Sequence, residues 1–534
     1  MRDAADLSRP AAAVTPAQVR LALLARREIA LIDLREENPF AKAHPLFAAC
    51  LPLSRLEVEV LDRIPRKDAP VVVYDDGEGY VGPAIERLGM LGYSDVRELA
   101  GGLAGWRSAG YELFQDVNSY SKAFGELVDA RRRTPSIAAE ELDERIKGGA
   151  DQVVLDARRW DEYRTMSIPT GVSVPGAELV LRAPDLAPDP TTTIVVNCAG
   201  RTRSIIGAQS LINAGVPNPV VALRNGAIGW TLAGQSLEHG QSRRFRDEPG
   251  HLEEAKVRAR NVAYRAGVLH ITPAELAELE QDRTRTLYRF DVRTPEEYER
   301  GRLAGFRSAP GGQLVQETDM FAPVRGARIV LADDLGARAD MTASWLAQMG
   351  WEVLVLDGGF DAPLETGAWR PQLSPFLPDA PAITAEALAR EIAWGDVAVV
   401  DVSPSPAHRK GHVPGAWFAI RSRLRAALDV VGDARLSVFT CPDGALSRLA
   451  AHDAAALAPG RAVAALDGGL AAWAATGRPI ETGLRREAST PDDVYRRPYE
   501  GADHAAAAKQ AYLDWEFGLV DQLERDGAHG FFVI

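Results

Sequence analysis

The chain has 534 residues and a mass of 57.7 kDa, more than one hydrophobic core supports, and about 150 residues per domain predicts three to four domains. Apolar residues make up 46% and charged residues 25%, a balance that excludes a disordered, collagen-like or coiled-coil protein. Its 61 basic and 74 acidic residues give a net charge of −13 with no basic block suited to phosphate backbones, so nucleic acid is not an expected partner.

Three cysteines are too few for a disulfide framework and lack the paired spacing of a zinc site, which fits a reducing cytosol. The N-terminus carries acids where a signal peptide has a basic run, and no apolar stretch reaches the roughly 18 residues of a membrane span. A soluble cytoplasmic protein without a membrane partner is expected. Nine histidines show no two-histidine helical pair, so neither a metal nor another cofactor is expected.

Four β-rich runs each end in aspartate: Ile29 to Asp33, Gln152 to Asp156, Leu287 to Asp291 and Val397 to Asp401. The aspartates are 123, 135 and 110 residues apart, a domain-sized repeat. Arginine occurs two places later in the first three (Arg35, Arg158, Arg293), and Ser403 in the fourth. Each unit then has a second apolar run: Val71 to Tyr74, Ile194 to Asn197, Ile329 to Ala332 and Leu436 to Thr440. Short, non-alternating runs rich in Val and Ile suit parallel strands buried on both faces. Each unit closes on a glycine pair or Asn-Gly: Gly101 to Trp106, Asn225 to Trp230, Asp357 to Phe360 and Asp467 to Trp473. Helical patterns such as Ser204 to Asn213 lie between these landmarks, predicting alternating strands and helices with parallel sheets covered on both sides.

An Asp-x-Arg after the first buried strand, a Cys-led loop after a later one and a closing Gly-Gly-x-x-x-Trp resemble the rhodanese (sulfurtransferase) domain. Val174-Pro-Gly-Ala177 and Gly411-His-Val-Pro-Gly-Ala416 are similar to a further segment of that family. The resemblance implies an α/β fold of four tandem rhodanese-like α/β/α domains, each with a central, mainly parallel sheet, and a helical tail after the last. The expected boundaries are 14–117 for repeat one, 135–238 for repeat two, 239–268 for a linker, 269–372 for repeat three, 382–482 for repeat four and 483–534 for the tail. The linker is expected to hold a helix from His251 to Arg265 and to divide the chain into halves of two consecutive repeats. In the tail a helix is expected from Asp503 to Glu524, with Tyr512, Trp515, Leu519 and Leu523 on one stripe. That stripe would dock on a neighbouring repeat or on a second subunit, which leaves a homodimer open.

The repeats differ in the loop after the second strand, where a strand-to-helix turn aims backbone N–H groups at its contents. Repeat two reads Cys198-Ala199-Gly200-Arg201-Thr202-Arg203-Ser204. A thiol in such a cradle beside two arginines is expected to ionise well below the free-cysteine value of about 8.5, as a nucleophile should. Gly200 would let the backbone approach closely, and Arg201 and Arg203 would hold an anionic donor. The resemblance implies a two-step exchange in which Cys198 takes sulfur from a donor such as thiosulfate as a persulfide and hands it to a thiol or cyanide. Arg158 is a further candidate lining residue, although Asp-x-Arg pairs read as architectural.

Four residues separate Cys198 from Arg203, one fewer than in tyrosine phosphatases, which resembles the tighter sulfur-transfer loop. A rhodanese-fold phosphatase or arsenate reductase remains the alternative enzyme, and a sulfur carrier or binding scaffold the alternative class. Repeat four offers Cys441 as a candidate second site, with Leu446 in place of Arg203, Asp443 near the thiol and Pro442 removing one N–H. Repeats one and three have Asp75 and Asp333 at this position and are expected to be silent, their carboxylates excluding an anion. Cys50 lies in an apolar stretch and is expected to pack in a core, with a resolving thiol as the other reading.

Overall fold

A computed structural model of the protein describes residues 13–374, 378–498, 500 and 505–534. All eight anticipated strands are present, the first-strand set with the expected bounds: Ile29–Asp33, Gln152–Asp156, Leu287–Asp291 and Val397–Asp401. Each lies beside its second strand in parallel register, so that Asp156, for example, stands opposite Asn197. In repeat two the sheet order is Ser136–Ile137, Val220–Leu223, Thr193–Asn197, Gln152–Asp156 and Val172–Ser173, all parallel. Repeats three and four repeat this order. In repeat one a single bridge from Val14 to Leu99 takes the place of the corresponding edge strand.

Successive residues on the central strands enter different cores, as burial on both faces requires. Leu155, Ile194 and Val196 pack with the helix Leu179–Leu186, while Val154 and Val195 pack with Leu142 and Trp230 on the other side. The closing tryptophan ties down the segment after its helix by donating an indole hydrogen bond to a carbonyl six residues on: Trp106 to Glu112, Trp230 to Ser236 and Trp473 to Pro479.

The four repeats form two compact units, and their membership differs from the expected halves. One unit holds 30–117 and 371–496, most of repeat one with repeat four and the start of the tail; the other holds 17–29, 118–370 and 497–534, repeats two and three with the first helix of repeat one and the rest of the tail. In the first unit Glu57 of repeat one receives two hydrogen bonds from the buried Arg421 of repeat four. In the second, Glu178 of repeat two receives one from the buried Arg338 of repeat three. Helix Leu252–Arg265 begins one residue later than expected and does not separate halves. Its Ala255, Ala259 and Val262 join Ala337 and Met341 in the core of repeat two.

The anticipated tail helix is two helices, Ala506–Phe517 and Leu519–Asp526, broken at Gly518; its expected start at Asp503 lies outside the described residues. Tyr512, Leu519 and Leu523 are buried within this unit, so the stripe packs on its own chain. A helix placed in no repeat by the sequence, Ser119–Arg132, lies almost wholly buried beside them. Among the described residues no helix is long and apolar enough to cross a membrane.

Candidate active site

Each first-strand aspartate organises the turn after it. Its Oδ1 accepts the backbone N–H two residues on: Arg35 at 3.0 Å, and Arg158, Arg293 and Ser403 at 3.1 Å. In the first three repeats the arginine folds back onto the same carboxylate through Nε and Nη2. Repeat four keeps the aspartate and replaces the guanidinium with His408, whose Nδ1 lies 2.7 Å from Asp401 Oδ2.

In repeats one, three and four the loop after the second strand is an amide cradle with an occupant. In repeats one and three the aspartate standing in for cysteine fills it. Asp75 accepts the N–H groups of Gly77 and Tyr80 at 3.0 and 2.6 Å; Asp333 accepts those of Leu335 and Arg338 at 3.1 and 2.8 Å. In repeat four the amides of Gly444 and Ser447 point at Cys441 Sγ from 3.2 and 3.3 Å. The loops of repeats one and three therefore hold a carboxylate in the cradle, where the sequence led to an expectation of charge repulsion.

In repeat two the Cys198 thiol donates to Ser204 Oγ at 3.5 Å, and that hydroxyl donates to Arg201 O at 2.8 Å. The helix starts at Thr202, two residues before the expected Ser204, so Thr202, Arg203 and Ser204 form its first turn. Burial pushes the Cys198 thiol above its ordinary value, and the nearby Arg203 charge and the Ser204 hydrogen bonds do not offset this. The low thiol expected from sequence is thus not present in the resting site.

Both loop arginines are committed elsewhere. Arg201 donates to Glu126 at 2.8 and 2.9 Å and to Asp129 at 3.0 Å, with its guanidinium over the Phe517 ring. Arg203 forms a fork with Glu162 at 2.7 and 2.9 Å, holding that carboxyl well below the usual range despite its burial. Repeat three has the same clamp, Arg338 on Glu297, at the same sequence separation of 41 residues. Arg203 therefore ties the loop to the preceding helix first and reaches the thiol through its field. The shared offset of Glu162 and Glu297, six residues after the strand aspartate, was readable in the sequence; Glu126 and Asp129, on the unassigned helix, were not.

Arg158 is where the repeats diverge. It is 1% exposed, binds Asp156, donates to Met166 O at 2.6 Å, and its Nη1 is buried with no hydrogen-bond partner among the described residues. In repeat three the equivalent Nη1 of Arg293 donates to Asp334 of the loop at 3.1 Å. Residue 199 of the repeat-two loop, which corresponds to Asp334, is alanine. Arg158 and Ala199 share a cavity of about 230 Å³ with Arg159, Glu162 and Arg497.

The closing glycine sets the loop from below. A Cβ on Gly226, at φ +52°, would collide with Cys198 O, and the N–H of Ala227 donates to that carbonyl at 2.9 Å. Gly102 with Asp75 and Gly469 with Cys441 make the same approach. Cys50, in the edge strand Ala49–Cys50, is buried and donates to Arg35 O at 3.5 Å, in keeping with core packing.

The rhodanese-like domain profile matches residues 15–109, 138–233, 272–365 and 384–476. A crystal structure of thiosulfate sulfurtransferase from Pseudomonas aeruginosa superposes with a TM-score of 0.96 and 59% identity, over 98% of this chain and 100% of that one. A thiosulfate sulfurtransferase of Pseudomonas aeruginosa strain PAO1 is 35% identical over 115 residues, 21% of this chain and 41% of that protein. The chain thus spans less than half the length of that relative, but 77% of the Azotobacter vinelandii thiosulfate sulfurtransferase, to which it is 26% identical over 212 residues. Four successive domain matches, each on a sheet built around the same parallel pair of strands, with a structural relative over 98% of the chain, place the chain in the rhodanese-like domain family.

Proposed function

We propose that the protein is a sulfurtransferase that moves a sulfane sulfur from thiosulfate or a related anionic donor to a thiol or cyanide through a persulfide on Cys198. The observation that carries this reading is Arg158 Nη1, buried without a hydrogen-bond partner among the described residues, on a side chain that lines one cavity with Ala199 of the Cys198 loop. An anionic donor would supply the acceptor that Asp334 supplies to Arg293 in repeat three.

In the first step the Cys198 thiolate attacks the outer sulfur of thiosulfate. A sulfur–sulfur bond forms to Cys198, the one in thiosulfate breaks, and sulfite leaves with its electron pair. The loop amides and Arg158 stabilise the terminal persulfide anion. In the second step an acceptor thiolate or cyanide attacks that outer sulfur, and Cys198 leaves as thiolate. Donor and acceptor reach the loop through the cavity lined by Arg158, Arg159 and Ala199. Of the loop residues, Cys198 bears the sulfur, Thr202 to Ser204 present the helix N-terminus, Gly200 admits the tail helix Ala506–Phe517, and Arg201 and Arg203 hold the loop in shape. Cys441 has the amide cradle without the arginine, so it is assigned at most slow loading. The turnover of such an enzyme needs no bound cofactor.

The test is steady-state transfer from thiosulfate to cyanide and to a thiol, run beside mercaptopyruvate, for the wild type and Cys198→Ser. Thiosulfate-dependent product lost in the variant supports the reading; equal rates overturn it.

A further inference from the structure

The helix Ala506–Phe517 lies against the Cys198 loop. Tyr512 and Leu513 share an apolar cluster with Ala199 and Ile228. A Cβ added to Gly200 would stand 3.3 Å from Glu516 Oε2 and 3.4 Å from Tyr512 Cε1, so only glycine lets the two segments meet at this distance without adjustment. Glu516 is 1% exposed. Its Oε1 accepts from the Tyr512 hydroxyl at 3.1 Å, and its Oε2 is buried with no hydrogen-bond partner among the described residues. An ionised carboxylate is poorly served in such a place, since a buried charge requires pairing and full hydrogen bonding.

The surrounding charges do not change this. From helix Ser119–Arg132 come Lys122, whose ammonium lies 5.1 Å from the Tyr512 ring centroid, and Glu126, which repels a second carboxylate. From the loop comes Arg201, its charge taken by Glu126 and Asp129, and the Cys198 thiol itself. Burial dominates and pushes the Glu516 carboxyl up to about 8, against the pull of Lys122, Tyr512 and Arg201. Ionised Glu516 in turn opposes the Cys198 thiolate.

Building on the sulfur-transfer reading of Cys198, we propose that Glu516 is a positioning residue of that site. Through it the tail helix sets the charge behind the loop: uncharged, it leaves the loop able to hold a sulfur anion; charged, it opposes one. The event is a proton exchange between Glu516 and water, with no covalent change. It gives the tail a role in the reaction that the four rhodanese-like repeats alone do not explain.

The experiment is the burst of sulfite released from thiosulfate by full-length protein, between about pH 6 and about pH 10, for wild type, Glu516→Gln and Tyr512→Phe. The wild-type rate is expected to rise as the Cys198 thiolate forms and to flatten as Glu516 ionises. Glu516→Gln, an uncharged isostere that still accepts from Tyr512, should keep rising and exceed wild type by about tenfold at the alkaline end, one pKa unit on Cys198. Tyr512→Phe removes a hydrogen bond that favours the charged carboxylate, so the flattening should move to higher pH. A purely structural contact would lower rates without moving the profile. Superimposable profiles for wild type and Glu516→Gln overturn the proposal, as does a Tyr512→Phe profile that does not move, which decides the matter if Glu516→Gln fails to fold. A wild type without any sulfite burst refutes the sulfur-transfer reading instead. In that case iodoacetamide alkylation of Cys198 over the same range reads the thiolate directly, with the same expected order and the same overturning result.

Discussion

Arg293 donates to Asp334 at 3.1 Å in repeat three, closing a guanidinium whose counterpart in repeat two, Arg158, keeps Nη1 open. Both guanidiniums are paired with their strand aspartates, so the two repeats differ here only in whether a loop carboxylate takes the remaining nitrogen, which in repeat two is the place proposed for the donor. Ala199→Asp copies Asp334 into the repeat-two loop and should close Arg158 in the same way. Loss of one charge-assisted contact costs about 1.5–3 kcal/mol, or about ten- to a hundredfold in kcat/KM for thiosulfate. Steady-state kinetics check this, and an unchanged kcat/KM would mean that the donor does not use Arg158.

Cys198→Ser should remove sulfur loading while leaving the thermal melt close to wild type, because the hydroxyl is near the thiol in size but forms no persulfide. Peptide mass spectrometry after thiosulfate treatment should find the added sulfur on Cys198. Cys441 should load at under about a tenth of that rate, since Ser403 and His408 replace its arginine and Asp443 Oδ1 stands 3.6 Å from its sulfur. Loading confined to Cys441 would move the site to repeat four.

The fold was legible because its determinants are local. A short Val-rich strand, an aspartate that caps its own turn and a glycine under a carbonyl are each signalled by a few neighbouring residues. The site was legible only in outline. Two arginines beside a cysteine predict a low thiol if they face it, but Arg201 is taken by Glu126 and Asp129, some 70 residues earlier, and Arg203 by Glu162. Burial then decides the thiol's direction, and burial here includes a tail helix more than 300 residues downstream. The pairing of repeat one with four and two with three was likewise invisible. It rests on buried contacts such as Arg421 with Glu57, whose partners carry no mutual signal in one sequence.

Gly226→Ala should damage the loop more than an ordinary surface change. Its φ of +52° is a left-handed conformation that costs an L-residue roughly 1–2 kcal/mol, and its Cβ would collide with Cys198 O. The loop carbonyl must move, and the Ser204 hydroxyl and amide with it. A lower melting temperature together with a larger proportional loss of sulfur loading is expected. Normal loading at full stability would show that the loop is not held in shape from this side.

Repeat one provides the constructive test. Its cradle is intact, since Asp75 already accepts the Gly77 and Tyr80 amides, and Arg35 binds Asp33 as Arg158 binds Asp156. Its loop differs in the carboxylate in the cradle, in Asp76 at the position of Ala199, in Glu78 at that of Arg201, which acts electrostatically on Arg35, and in Tyr80 at that of Arg203. Asp75→Cys in a Cys198→Ser, Cys441→Ser background empties the cradle of its carboxylate but leaves Arg35 facing Glu78, so thiosulfate loading should be barely detectable. Adding Asp76→Ala and Glu78→Gln removes both acids and should raise loading by about tenfold or more, the scale of one charge-assisted contact. Equal loading of the single and triple variants would refute the role given to the open guanidinium. Loading in neither would mean that a cradle and an arginine relieved of its acids are insufficient, and that the site also needs what repeat one lacks: the Arg203 clamp on Glu162 or the tail helix that meets Gly200.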